Sequence, residues 1–253
     1  MKIFSMSNQK GGVAKTSSVI NLAAGLRKLG KKVLVIDTDP QGNLTSGLNK
    51  KDDFDNSIYD ILCSDFPLGQ AIEETDWPGI DIITASIQLA NAELELASVM
   101  GRETILKDAI TESKIVDQYD YILIDTNPSL GLLTVNALAA AEGVIIPMEP
   151  EIYSLEGMDY LLKVFNLIKK KINKKLEIAG VLLTKVHART NIAKDFEEEV
   201  KNIFGNKVFK TKINLNVAVQ EAQTERQPVV FFNPKAKAAV QYVELAKEII
   251  NHE

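Results

Sequence analysis

Lys10-Gly-Gly-Val-Ala-Lys-Thr-Ser17 follows a short apolar run, Lys2 to Ser7, and precedes a stretch with apolar residues at helical spacing (Val19, Leu22, Ala23, Leu26). Strand, glycine-rich turn and helix in that order make a phosphate loop. Glycines let the chain curl so that backbone N–H groups converge on one anion, and the helix N-terminus adds partial positive charge. Lys15 supplies a mobile cation for the β and γ phosphates, and the Thr16 hydroxyl is placed for magnesium. Compared with G-x-x-x-x-G-K-[ST], Ala14 stands at the second glycine's position, and the loop opens on an extra lysine, Lys10. Ala14 must therefore hold a backbone angle that a residue with a Cβ tolerates.

Working outward, β-branched runs alternate with longer helical stretches. Strands are predicted at Lys32–Asp37, Ile80–Thr84, Tyr121–Asp125, Gly143–Pro147 and Ile178–Thr184. Helices are predicted at Ser17–Leu29, Ala90–Ser113, Leu132–Ala141, Leu155–Ile172, Ala193–Phe204 and Lys235–Asn251. Near-continuous apolar strands separated by helices mean an α/β fold, a mostly parallel central sheet with helices on both faces. At 253 residues, with no repeat or low-complexity linker, the expectation is one P-loop NTPase domain over residues 1–253. Residues 50–76, with scattered Asp, Gly and Pro, read as a loop-like insertion.

Composition closes several routes. One cysteine, Cys63, makes neither an internal disulfide nor a cysteine-ligated cluster, and two histidines leave little for a histidine-based metal site. No apolar run is long enough to span a bilayer, and the N-terminus lacks a signal-peptide core, so a soluble, cytoplasmic protein is expected.

Two carboxylate elements follow the loop. Val33–Asp37 runs into Asp37-Thr-Asp39-Pro-Gln-Gly-Asn-Leu-Thr-Ser46, and Tyr121-Ile-Leu-Ile-Asp125 closes a second apolar strand on an acid. Carboxylates at the C-terminal ends of parallel strands sit at the crevice where ligands bind. Asp125 fits a Walker B acid, holding magnesium through water.

These stretches resemble the ParA/MinD superfamily, whose variant phosphate loop reads K-G-G-x-[GA]-K-[TS]-[TS], and most nearly its ParA/Soj branch. The likeness extends through Asp125-Thr-Asn-Pro-Ser-Leu-Gly-Leu-Leu-Thr-Val-Asn-Ala-Leu138, with Asn127 where the family has proline, and through Ile146–Gly157 and Val181–Asn191. The resemblance implies an ATPase that binds ATP/ADP with Mg2+. Residues Lys10, Gly11, Gly12, Val13, Ala14, Lys15, Thr16 and Ser17 would hold the phosphates. Thr16, Asp37 and Asp125 would serve the metal, and Asp39 the attacking water. Thr184, Lys185 and Ile213, Asn214 and Leu215 would flank the adenine. It further implies that Lys10 reaches across a dimer to the partner's nucleotide, a charge stabiliser supplied in trans. The ATP-bound homodimer would bind double-stranded DNA nonspecifically on the nucleoid, and a ParB-like protein would stimulate hydrolysis and release.

Independently of the resemblance, charge offers a candidate DNA face. Residues 1–159 carry 12 Lys+Arg against 24 Asp+Glu, whereas residues 160–240 carry 16 against 7. The excess fits a polyanion surface or lysine-rich solvated helices. The candidates are Arg189, Lys194, Lys212, Lys235 and Lys237, with Lys169, Lys170, Lys171, Lys174, Lys175 and Lys210 beside them. The branch's I-P-R-N-V-R segment reads Ile213-Asn-Leu-Asn-Val-Ala218, so two arginines are absent. A MinD-like membrane ATPase would need a basic amphipathic C-terminal helix. Residues 240–253 carry one Lys against three Glu, which fits core packing, and no membrane partner is expected. A ParA-like ATPase positioning a protein cargo on the nucleoid stays open.

Overall fold

The computed structural model of the chain describes residues 1–49, 54–151, 158–187 and 191–251. From the N-terminus, β1 (Lys2–Met6) passes through the glycine-rich turn into α1 (Lys15–Lys28), β2 (Val33–Thr38), α2 (Asn43–Leu48) and α3 (Ile58–Cys63). There follow β3 (Ile72–Glu74), β4 (Ile80–Ile83), α4 (Ala92–Glu95), α5 (Ile105–Glu112), β5 (Tyr121–Thr126) and α6 (Leu132–Ala140). The chain continues through β6 (Gly143–Met148), α7 (Met158–Lys171), β7 (Glu177–Leu183) and α8 (Asn191–Phe204). It closes with α9 (Val217–Thr224), α10 (Val229–Phe232) and α11 (Lys237–Asn251).

The strands form one sheet in the order β3-β4-β2-β5-β1-β6-β7, parallel except for β3 against β4. Every residue of β2, β5 and β6 is buried, as strands covered on both faces must be. Alternate side chains feed two cores. Leu34, Ile36, Ile122, Ile124, Val144 and Ile146 meet residues of α3, α5, α6, α7 and α8. Val33, Val35, Leu123 and Ile145 meet residues of α1, α10 and α11 on the other face. Helices α1 and α11 approach closely because Gly25 has no side chain: a Cβ there would sit 2.8 Å from the Tyr242 carbonyl oxygen. Ala238, Ala239, Tyr242, Leu245, Ala246 and Ile249 are buried in α11, which is the core packing expected of the C-terminal helix. Among the described residues, no helix is long and apolar enough to cross a membrane.

Sheet register decides the chemistry. Asp37 of β2 lies beside Asp125 of β5, and Met6 of β1 lies beside Asp125 on the other side. Both carboxylates therefore end their strands next to the turn that leaves β1.

Two expectations need correction. The predicted helix Ala90–Ser113 is broken: short helical pieces occupy Ile87–Asn91, α4 and Leu96–Ser98, and α5 starts only at Ile105. Gly101 at φ 74° turns the chain between them, with Thr104 N–H donating to its carbonyl. The insertion also holds structure. Ser57 and Asp60 form a reciprocal capping box that starts α3, and β3 pairs antiparallel with β4 at the sheet edge. Residues 50–53 of that insertion lie outside the described residues.

Candidate active site

The turn after β1 is fixed first by Asn8. Its buried amide donates to the Pro147 carbonyl at 2.7 Å, and its oxygen accepts from Lys10 N–H at 3.0 Å. Gly12 then takes φ 79° and Ala14 φ 63°, both in the left-handed region. Glycine occupies that region without steric cost, whereas Ala14 carries strain on the order of 1–2 kcal/mol. At Gly11 and Gly12 an added Cβ would meet no atom within 4 Å, because both face open space above the loop. The loop is braced from the far side by Thr184, whose buried hydroxyl bonds the Val13 carbonyl at 3.0 Å.

The loop forms the floor of a cavity of about 1090 Å³. Of the residues singled out in the sequence, Gly11, Gly12, Ala14, Lys15, Thr16, Ser17, Asp39, Thr184, Lys185, Ile213, Asn214 and Leu215 line it. Val13 points into the core instead. Thr184 reaches the cavity wall, but its hydroxyl is already bonded to the Val13 and Met148 carbonyls. The wall at Asn214 is set by side chains: Asn214 N–H donates to Gln241 Oε1 at 3.0 Å, and the Asn214 amide donates to the Val186 carbonyl at 3.0 Å.

Beneath the floor lie the two strand-end acids, both fully buried. Asp37 is tied down: Oδ2 accepts from Thr45 N–H at 2.9 Å and from the Thr45 hydroxyl at 2.8 Å, and Oδ1 accepts from Asp39 N–H at 3.1 Å. Burial nevertheless pushes its pKa up to about 6, and those hydrogen bonds hold it down only in part. Asp125 differs, for neither carboxylate oxygen has a hydrogen-bond partner. Burial and then the neighbouring Asp37 charge drive its pKa well above the usual carboxylate range. Thr16, outside hydrogen-bond geometry, and Lys15 pull the other way. Lys15 is buried above the acids. Burial lowers its pKa, while Asp125 and Asp39 oppose that shift.

An orphaned, buried carboxylate beneath a glycine-rich loop that opens on a cavity is what a magnesium–phosphate group requires of a protein. Among the described residues, no group of three or more His, Cys, Asp or Glu side chains could cage a metal. A cation here would rest on Asp37, Asp125 and Thr16, with water and phosphate oxygens completing the shell. That donor set suits magnesium, which dehydrates reluctantly.

Lys10 does not line the cavity. Its ammonium pairs with Glu151, just beyond β6, and Lys185 pairs with Glu149 at 3.1 Å. In the stretch after β5, Asn127 Oδ1 accepts from the Ser129 hydroxyl at 3.0 Å, so side-chain bonding holds the turn where the family has proline. Of the DNA candidates, Arg189 lies outside the described residues, and Lys212 is occupied by Glu197. Lys194, Lys235 and Lys237 are exposed on α8 and at the start of α11. Sequence reasoning assigned nothing to Asn8, Thr45 or Glu151. Thr45 lies eight positions beyond Asp37, and only the return of α2 over β2 brings them together.

Comparison with known proteins gives the family. A family profile described as AAA domain matches residues 1–178. The chain is 47% identical to the sporulation initiation inhibitor protein Soj of Bacillus subtilis, over 98% of each protein. It is 40% identical to the chromosome partitioning protein ParA of Myxococcus xanthus, over 100% of this chain and 89% of that one. Cobyrinic acid a,c-diamide synthase of Mycobacterium smegmatis, solved with ADP and magnesium, superimposes with a TM-score of 0.87 at 32% identity. That match covers 100% of this chain and 95% of that one. The chain belongs to the ParA/Soj-type ATPases of the ParA/MinD superfamily.

Proposed function

We propose that residues 1–253 act as one ATP-dependent DNA-partitioning unit in the cytoplasm, associated with the nucleoid. Two copies close around ATP and Mg2+, the dimer holds double-stranded DNA without sequence preference, and a ParB-like activator drives hydrolysis to ADP and phosphate. The observation that carries this reading is Asp125, fully buried with both oxygens unpaired, in register with Asp37 under the glycine-rich loop.

The chain's own groups divide the work. Amides of the Gly11–Thr16 turn hold the phosphates, and Lys15 places a buried cation against the β and γ oxygens. Bound magnesium, held by Thr16, Asp37 and Asp125, would neutralise charge on those oxygens. Asp39, on the cavity wall, orients the attacking water. In one protomer the γ-phosphate lacks the further cation that speeds phosphoryl transfer, so intrinsic hydrolysis is slow. Lys10 of the second copy supplies it. Loss of the γ-phosphate then removes the group both copies grip, and the dimer opens.

Thr45 tests the metal half of this account. It holds Asp37 by both its N–H and its hydroxyl. Thr45→Val is expected to raise the magnesium concentration needed for half-maximal binding of a fluorescent ATP analogue by about tenfold, with Thr45→Ser close to wild type. Equal magnesium titrations for all three would show that Asp37 needs no such support.

The DNA half is tested by retention on DNA in moderate salt, with and without ATP. Wild type is expected to be retained only with ATP, and Lys15→Gln in neither condition. Retention of Lys15→Gln equal to wild type would sever DNA binding from the nucleotide. Neutralising Lys194, Lys235 and Lys237 together is expected to weaken retention and flatten its salt dependence, since affinity scales with phosphates neutralised.

A further inference from the structure

Helix α1 carries Lys15 and Thr16, and the side chains of Ser17, Ser18 and Asn21 tie its first turns to the C-terminal third of the chain. Asn21, buried, donates to the Ser17 carbonyl at 2.8 Å and accepts from Val229 N–H at 2.7 Å. The Ser18 hydroxyl, also buried, lies 3.4 Å from the Tyr242 hydroxyl. The tie at Ser17 differs. Gln223 of α9 donates from Nε2 to the Ser17 hydroxyl oxygen at 2.5 Å, and both residues line the nucleotide cavity. Gln223 is exposed, so a solvated bond there adds little to folding. Its position is set all the same. Asn216 caps α9 by accepting from Ala218 N–H at 2.9 Å, and Ala218 and Ala222 are buried on one face of the helix.

The bond has a direction. A serine hydroxyl offers one proton and two lone pairs. In a helix that proton ordinarily goes back to a carbonyl three or four residues earlier. Here the Val13 carbonyl takes the Thr184 hydroxyl at 3.0 Å, and the Ala14 carbonyl takes Ser18 N–H at 2.9 Å. Gln223 fills the acceptor side of Ser17. What Ser17 has left to offer is a proton, on a cavity-lining hydroxyl one residue beyond Thr16.

We propose that Gln223 is a positioning residue for the nucleotide: it holds the Ser17 hydroxyl with its proton aimed at a phosphate oxygen, and the phosphate in turn latches α9 onto the loop. A hydroxyl that donates to an anion becomes a better acceptor, so the two bonds strengthen each other. Bound nucleotide therefore tightens the Ser17–Gln223 tie and steadies α9, while the buried ties at Ser18 and Asn21 stay as they are. The inference rests on phosphate binding at the loop and needs neither the dimer nor the DNA reading.

ADP is the probe, because it carries phosphates without the γ group that both copies would grip. Affinity is measured by titration calorimetry with magnesium, and hydrogen exchange of residues 217–224 is followed with and without ADP. Gln223→Met keeps the length of the side chain and removes its donor. It is expected to weaken ADP about three- to tenfold without moving the melting temperature of the nucleotide-free protein, and Ser17→Ala is expected to weaken ADP to the same degree. Adding Gln223→Met to Ser17→Ala is expected to cause no further loss, since the two groups act as one unit. Gln220→Met, on the same helix and the same cavity wall, is expected to bind like wild type. ADP is expected to slow exchange across α9 severalfold in wild type but not in Gln223→Met. Wild-type affinity in Gln223→Met, additive losses in the double variant, or an equal loss in Gln220→Met overturns the proposal. So does a Gln223→Met that loosens α9 equally with and without ADP, as loss of a purely structural bond would. A wild type that binds no ADP would bring down the phosphate-loop reading along with it.

Discussion

Lys10→Ala is expected to lower ATP turnover by about a thousandfold or more while changing ATP affinity by only a few-fold, because a charge donated across an interface acts on the transition state. Lys10 lies outside its own cavity, so its loss subtracts little from binding in one protomer. Its pairing with Glu151 is an ion pair between half-exposed groups, worth at most about 1 kcal/mol. A triphosphate in a closed, water-poor interface offers a stronger partner, so the lysine exchanges Glu151 for phosphate at small cost. Phosphate release and equilibrium binding of a fluorescent ATP analogue separate the two effects. Near-normal turnover would make Lys10 a surface cation paired with Glu151 and nothing more.

The second large effect concerns stability. Asp125→Asn is expected to make the nucleotide-free protein more stable by about 1–3 kcal/mol at neutral pH, and to abolish magnesium-dependent ATP binding. In wild type, burial beside Asp37 disfavours the ionised Asp125, its oxygens have no partner in hydrogen-bond geometry, and Thr16 and Lys15 offset the penalty only in part. In the unfolded chain both acids ionise near pH 4. In the folded one Asp37 holds its proton to about 6 and Asp125 also ionises well above the ordinary value. As pH rises from about 4, the unfolded state loses its protons first, so the stability of the nucleotide-free protein falls through that window and beyond it. The advantage of Asp125→Asn should therefore grow from pH 4 to pH 7 and shrink again at acid pH. Thermal melts of both proteins across that range measure it. A variant less stable than wild type at pH 7 would mean that Asp125 is a structural acid with a partner of its own.

Much of this site is legible in the sequence because it is built from continuous pieces. The phosphate loop is one run of residues, and Asp37 and Asp125 announce themselves by ending apolar strands. What stays hidden is what register and packing create. Nothing in the spacing of Thr45 from Asp37 says that both its donors meet that carboxylate. The Lys10–Glu151 pair joins positions 141 residues apart. Strand β3 escapes notice for a different reason: three partly exposed residues have no pattern of their own and exist as a strand only by pairing with β4. The helix expected through Ala90–Ser113 has the right apolar residues, yet Gly101 in the left-handed region breaks it, and tertiary packing outweighs periodicity there. The capping box at Ser57 and Asp60, by contrast, can be read from the sequence by its spacing alone.

The central claim is that two copies share a pair of nucleotides and exchange Lys10. Sedimentation velocity with saturating ATP and magnesium tests it most directly, with Asp39→Ala blocking turnover so that the ATP state persists. The account predicts that Asp39→Ala sediments as a dimer with ATP and as a monomer with ADP, and that adding Lys10→Ala returns it to a monomer in both. A monomer with ATP, or a dimer indifferent to Lys10, would contradict it.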